Sequence, residues 1–342
     1  ASSDNTVEDV TQSFTITVTN VDDDARGTVT IDETVEEGAT VGANTTGLSD
    51  EDGPITFAYQ WQSSTGGSTF VDIAAETSVS YVIPSDQTMV DKYLQVQVTT
   101  TDSRGGSTVL LSASQQVANV DDAATGTVTI GGTVQEGATV TANTSLVDDV
   151  DGTLTFAYQW QYSTGGSTFD AIDSETSVSY AIPPDQTMVD KYLQVQVTTT
   201  DIRGGSTVLL SASQQVANVN DDPTGSVTIS GTPTQNQQLT ATNTIADQDG
   251  MDENSIIYQW QRSETSGGFS ATNIGTTGSD TYTLQQADVG KYIKVVARYI
   301  DLRDNEHTVT SDATAQVANV NDIPTGTVVI TGAHANGVRQ GD

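Results

Sequence analysis

Acidic pairs recur along this chain at fixed places. Asp22 and Asp23, Asp121 and Asp122, and Asn220 and Asp221 each stand just ahead of an alternating Thr/Val/Ile run. A D-x-D-G signature follows each: Asp50 and Asp52, Asp149 and Asp151, Asp247 and Asp249. A D-x-R signature closes each set, with Asp102 before Arg104, Asp201 before Arg203 and Asp301 before Arg303. Taken singly, D-x-D-G reads as an Asx-turn, an acidic linker as solvated surface, and D-x-R as a local ion pair. Three signatures in register, three times over, read differently. Clustered carboxylates, amides and carbonyls repel or stay unsatisfied unless a hard cation takes six to eight of their oxygens. Ca²⁺ suits such mixed, loop-borne ligands better than Mg²⁺. The glycine after each D-x-D permits the tight turn that lets carbonyls face inward.

Such a site needs elements that bring three distant segments together, and the sequence supplies strands. "TFAYQWQ" alternates Phe57, Tyr59 and Trp61 against Ala58, Gln60 and Gln62, and "YLQVQVTTT" alternates Leu94, Val96 and Val98 against Gln95, Gln97 and Thr99. Gly, Asp and Ser clusters punctuate these runs, and no stretch shows a helical period with caps. About seven strands in ~100 residues is the count of a β-sandwich. In that topology the second strand returns to the end where the chain came in, and so does the sixth. The loops after them, which carry D-x-D-G and D-x-R, therefore meet the incoming linker at one pole.

The unit repeats. Trp61, Trp160 and Trp260 lie 99 and 100 residues apart, and the linker residues Asn20, Asn119, Asn218 and Asn319 are spaced 99, 99 and 101. A period of ~100 residues is a whole domain rather than a solenoid coil. The expected organisation is a tail of 1–20, resembling the last strand of an earlier repeat, then repeats over 21–119, 120–218 and 219–319. Residues 320–342 read as the opening of a further one. Asp86–Val120 and Asp185–Val219 differ at one position, Ser103 against Ile202. Such recent duplication suits a spacer, in which length counts for more than a unique site.

Composition narrows the partners. The chain has 342 residues, with 45 Asp+Glu against 11 Lys+Arg, a formal charge of −34. That charge disfavours nucleic acid and anionic membrane surfaces and favours cations or a salty medium. The absence of Cys excludes disulfides and thiol chemistry. No apolar run approaches the ~20 residues of a membrane span. The opening "ASSDNTVEDV" lacks a basic region and an apolar core, so it reads as a mature start or a fragment. An enzyme is not expected: the histidines, His307 and His334, have no nucleophile motif beside them, and phosphate-loop and dinucleotide fingerprints are missing.

"ADVGKY" at Ala287–Tyr292 has the Asp-x-Gly-x-Tyr form of a tyrosine corner, while the first two repeats read "MVDKY" with Asp91 and Asp190 at the glycine's place. Together with the "YQWQ" tryptophans, this resembles immunoglobulin-like domains, without their Cys pair; the fold class implied is all-β, tandem Ig-like sandwiches in a linear array. "NVNDIP" at Asn319–Pro324 resembles the cadherin-type linker. The whole is similar to the extender repeats of large bacterial RTX or biofilm adhesins. That resemblance implies an extracellular, Ca²⁺-rich setting, cell-surface adhesion, and a stalk that holds a binding tip away from the cell, with neighbouring repeats of the same chain as partners. Two other readings remain at this point. One is a filament subunit joined by strand donation, with Phe14–Val18 ("FTITV") as donor strand and like subunits as partners. The other is an array of carbohydrate-binding modules.

Overall fold

The computed structural model describes residues 11–267 and 272–328. Among them regular structure is almost entirely strand; the only helices are two 3₁₀ turns, Glu253–Ser255 and Gln286–Asp288. Among the described residues no helix is long and apolar enough to cross a membrane. The chain divides into two compact units: the described parts of Ala1–Thr129 with Asn143–Gln159 and Val195–Ser211, and Ile130–Ala142 with Trp160–Gln194 and the described parts of Ala212–Asp342.

The first unit contains the whole first repeat. Its strands are β1 (Thr30–Asp32), β2 (Thr40–Asn44), β3 (Thr56–Ser64), β4 (Val71–Asp72), β5 (Ser80–Val82), β6 (Tyr93–Thr101), β7 (Ser107–Leu111) and β8 (Gln115–Gln116). One sheet runs β1-β2-β5; the other runs β4-β3-β6-β7, with β8 also on β6. Trp61 is fully buried between them, its indole N–H donating to the Ser78 carbonyl at 3.0 Å and its ring stacked on Tyr81 at 5.7 Å. Leu94, Val96 and Val98 join it, on the face their alternation assigned. Phe57 does not: it is 37% exposed, because β3 runs past the core at that end.

The register sets the pole. Thr56 pairs with Thr101, and Thr101 with Ser107, so the β2–β3 and β6–β7 loops lie side by side. The incoming linker is tied to them: the Arg26 N–H donates to the Ser49 carbonyl at 2.8 Å, and the Ala25 N–H to Thr108 Oγ1 at 2.9 Å. This is the leading pole. At the trailing pole the segment before β2 runs parallel to the outgoing chain, with the Glu37 N–H donating to the Ala118 carbonyl at 3.1 Å.

The second repeat supplies strands to both units: β9 (Thr125–Gly131), β10 (Thr139–Asp148), β11 (Thr155–Ser163), β12 (Asp170–Ala171), β13 (Ser179–Ala181), β14 (Tyr192–Thr200), β15 (Ser206–Leu210) and β16 (Gln214–Gln215). Its β14–β15 pairing, Thr200 opposite Ser206, repeats that of β6 and β7. The second unit contains the third repeat, with β17 (Val227–Ser230), β18 (Gln238–Asn243), β19 (Ile257–Ser263), β20 (Thr272–Ile274), β21 (Thr281–Thr283), β22 (Tyr292–Ile300) and β23 (Glu306–Thr310). Its sheets are β17-β18-β21 and β20-β19-β22-β23, around a fully buried Trp260.

Asp91 and Asp190 hold φ of 64°, and Gly290 holds 77°, so all three occupy the same left-handed corner. That conformation suits glycine and strains aspartate. Phe14–Val18, expected as a strand, forms none: Phe14, Ile16 and Val18 are 83%, 74% and 86% exposed and pair with no described strand. An alternating apolar segment has no ladder to join without a free sheet edge beside it.

Candidate metal centre

At the leading pole of the first repeat, Asp22, Asp52 and Asp102 bring one carboxylate oxygen each to within 4.8 Å of the others. The linker supplies Asp22, the β2–β3 loop Asp52 and the β6–β7 loop Asp102. Asp52 also accepts the Asp23 N–H at 2.8 Å, which locks the linker onto the pole. The backbone N–H of Asp23 and the Asn20 amide lower the Asp52 pKa by stabilising its anion. Asp22 is raised instead, first by desolvation and then by the facing Asp102. Asp102 is 7% exposed, and its Oδ2 is buried without a hydrogen-bond partner. Leaving a buried carboxylate oxygen bare costs a sizeable desolvation penalty.

The same three positions converge at the next pole as Asp121, Asp151 and Asp201. Asp121 is raised by desolvation and then by Asp201 and Asp151. Here a second group forms. Glu37, from the trailing pole of the first repeat, meets Asp122 of the linker and Asp151 of the second repeat, again within 4.8 Å. Asp151 belongs to both groups and is 2% exposed. Glu37 accepts the Val120 N–H at 2.6 Å, and Asp151 accepts the Asp122 N–H at 2.7 Å. Gln87 Nε2 lies 2.7 Å from Asp151, 2.9 Å from Asn119 and 3.4 Å from Glu37, while its Oε1 is buried and unpartnered. One neutral amide does not offset three converging carboxylates.

The joint after the second repeat is built alike. Glu136, Asp221 and Asp249 converge, and Gln186 Nε2 reaches Asp249 at 3.0 Å and Asn218 at 2.8 Å. Asp249 accepts the Asp221 N–H at 2.7 Å. Asp221 Oδ2 is buried and unpartnered, and desolvation followed by Asp249 raises the Asp221 pKa.

The first aspartate of each D-x-D pair has another task. Asp50, Asp149 and Asp247 accept the N–H two residues on, at 2.7, 2.8 and 2.9 Å, which is the Asx-turn. Asp50 and Asp149 join none of the convergent groups; Asp247 meets Asp301 and His307. Asp23 lends its backbone, and Asn220 stands where Asp22 and Asp121 stand in the other repeats.

The arginines of D-x-R reach further than their own neighbours. Arg203 pairs with Asp91 of the preceding repeat at 3.1 Å, and Arg303 with Asp190 at 2.7 Å. Arg104 lies 3.9 Å from Asp52. The strained corner aspartates are therefore the acceptors of ion pairs from the following repeat.

Sequence reasoning missed Glu37, Glu136, Gln87 and Gln186, which belong to the trailing poles. Their signal was present as "EGAT" at Glu37–Thr40 and Glu136–Thr139, and "DQTM" at Asp86–Met89 and Asp185–Met188.

No family model matches the chain, and no curated protein matches it. Solved structures do. A Ca²⁺-stabilised adhesin with which an Antarctic bacterium binds ice is 15% identical, with a TM-score of 0.30 over 88% of this chain and 76% of that one. A 1.5-MDa bacterial ice-binding adhesin, studied for its retention on the host cell surface, is 14% identical, with a TM-score of 0.30 over 83% and 92%. A tetra-tandem repeat from the extending region of a large adhesion protein is 17% identical, with a TM-score of 0.26 over 85% and 74%.

Proposed function

We propose that this chain is a segment of an extracellular stalk, of the kind that extends a bacterial surface adhesin, and that Ca²⁺ stiffens its joints. One observation carries the reading: each joint gathers carboxylates from both sides of itself. Glu37 comes from one repeat, Asp151 from the next and Asp122 from the linker between them; Glu136, Asp249 and Asp221 do the same one repeat later. Like charges, two of the three buried in each group, repel across a joint of a few residues. A hard divalent cation reverses the sign of that interaction and fixes the angle between repeats. The oxygen-only donors, without a thiolate, favour Ca²⁺ over softer metals. The cores contain none of these groups, so the sandwiches fold without the ion.

The test uses the absence of Cys. A spin-label pair at Val109→Cys and Leu210→Cys, both exposed positions, reports the first joint. With Ca²⁺ the inter-label distance distribution is narrow; after EDTA it broadens at least about twofold while the β-sheet circular dichroism stays unchanged. A distribution indifferent to EDTA returns these aspartates to solvated surface.

A second reading has one observation of its own. Phe14, Ile16 and Val18 expose alternate apolar side chains, as a strand awaiting a partner sheet does. Deleting residues 1–19 leaves the protein's sedimentation and melting unchanged if the segment has no role in assembly. Loss of higher oligomers on that deletion favours strand donation between subunits.

A further inference from the structure

The three leading poles are not equal, and the differences have a pattern. In the first two repeats a glycine lies against the carboxylates. A Cβ on Gly106 would sit 1.6 Å from Asp22 Oδ1 and 2.3 Å from Asp102 Oδ2; on Gly205 it would sit 1.5 Å from Asp121 Oδ1 and 2.3 Å from Asp201 Oδ2. These glycines are required for space, since neither has a positive φ. They let two carboxylates close on one another, with Asp102 Oδ2 buried and bare.

The third repeat fills the same volume with protein. Asn305 replaces the glycine, and its Nδ2 lies 2.9 Å from Asp301 Oδ2. His307 replaces Thr108 and Thr207, and its Nε2 lies 3.2 Å from the same oxygen and 3.6 Å from Asp247 Oδ2. Tyr299 donates to Asp247 Oδ2 at 2.5 Å, and the Arg303 and Asn305 N–H groups donate to Asp301 Oδ1 at 2.7 and 2.8 Å. The linker carboxylate is gone as well, with Asn220 in its place. Burial alone would raise Asp301, yet these donors hold its pKa below the usual value. The oxygen left bare in the first repeat is thus saturated in the third.

We infer that Asp22, Asp52 and Asp102, and likewise Asp121, Asp151 and Asp201, hold a hard divalent cation of their own, separate from the one between repeats, and that Asn305 and His307 have taken that cation's place in the third repeat. The inference rests on the joint reading above and adds its stoichiometry. The joint between the first two repeats takes two cations bridged by Asp151; the joint between the second and third takes one, at Glu136, Asp221 and Asp249.

Native mass spectrometry of the full chain under saturating Ca²⁺ counts the ions. Gly205→Asn places a side chain where the cation belongs and lowers the count by one. The triple change Asn220→Asp, Asn305→Gly, His307→Thr writes the first repeats' residues into the third and raises the count by one. These three residues already coexist in the neighbouring repeats, so the gain is readable even if Gly205→Asn fails to fold. A wild-type chain that binds Ca²⁺ but whose count the triple variant leaves unchanged overturns this inference alone. A wild-type chain that binds none overturns the joint reading with it.

Discussion

Trp61→Ala lowers the melting temperature of the first repeat by more than ~10 °C and leaves the melting of the third within a few degrees of wild type. The side chain is fully buried, stacked on Tyr81 and hydrogen-bonded to Ser78. Its removal costs roughly 3–5 kcal/mol through lost burial and the cavity left behind, and about 1 kcal/mol moves the melting point of a domain near this size by ~4–8 °C. Against a typical stability of ~5–15 kcal/mol the repeat stays folded at room temperature. Each repeat holds one of the three tryptophans, so Trp160 and Trp260 fluorescence reports the remainder of the chain during the same heating scan. Trp260→Ala gives the reciprocal pattern. If Trp160 and Trp260 emission shifts together with the first repeat, the repeats do not melt as separate units and the ~100-residue period does not mark a folding boundary.

Much of this was legible in the chain because strands advertise themselves by a period of two. Leu94, Val96 and Val98 alternate with polar residues and point where the alternation says. Phe57 follows the same period yet is partly exposed, because alternation gives a face and not a depth along the strand. The three acidic signatures were placed together by topology alone: antiparallel return brings the second and sixth strands back to the incoming linker. Half of each joint was hidden for the same reason. Glu37 and Gln87 lie at the opposite pole of their own repeat, and only the next repeat gives them a partner. A topological argument about one sandwich does not see them. The partners of the arginines were hidden in the same way. Proximity in sequence suggests Asp201 for Arg203, but the fold offers Asp91, held out by a left-handed corner one repeat earlier.

Asp151→Ala has the largest expected effect of any single change at the first joint, because this one carboxylate does three things. It shares both convergent groups with Asp121, Asp201, Glu37 and Asp122. It accepts the Asp122 N–H at 2.7 Å, which seats the linker, and it takes the Gln87 amide from the preceding repeat at 2.7 Å. Losing a buried acceptor leaves donors unpaired at about 1–3 kcal/mol each, and losing a charged ligand lowers Ca²⁺ affinity at the joint by about 100-fold or more. Asp149→Ala is the matched control. Asp149 stands two residues away and accepts the Asp151 N–H in the Asx-turn, but joins neither group. Its loss weakens the turn and reduces affinity by about tenfold, the lower end of what losing a ligand-orienting hydrogen bond costs, through misplacement of Asp151. The labels at Val109→Cys and Leu210→Cys separate the two: with Asp151→Ala the distance distribution is broad in Ca²⁺ and insensitive to EDTA, whereas with Asp149→Ala it narrows at higher Ca²⁺. Equal behaviour of the two variants sinks the assignment of Asp151 as the shared ligand, since a purely structural role in the loop would be disturbed by either.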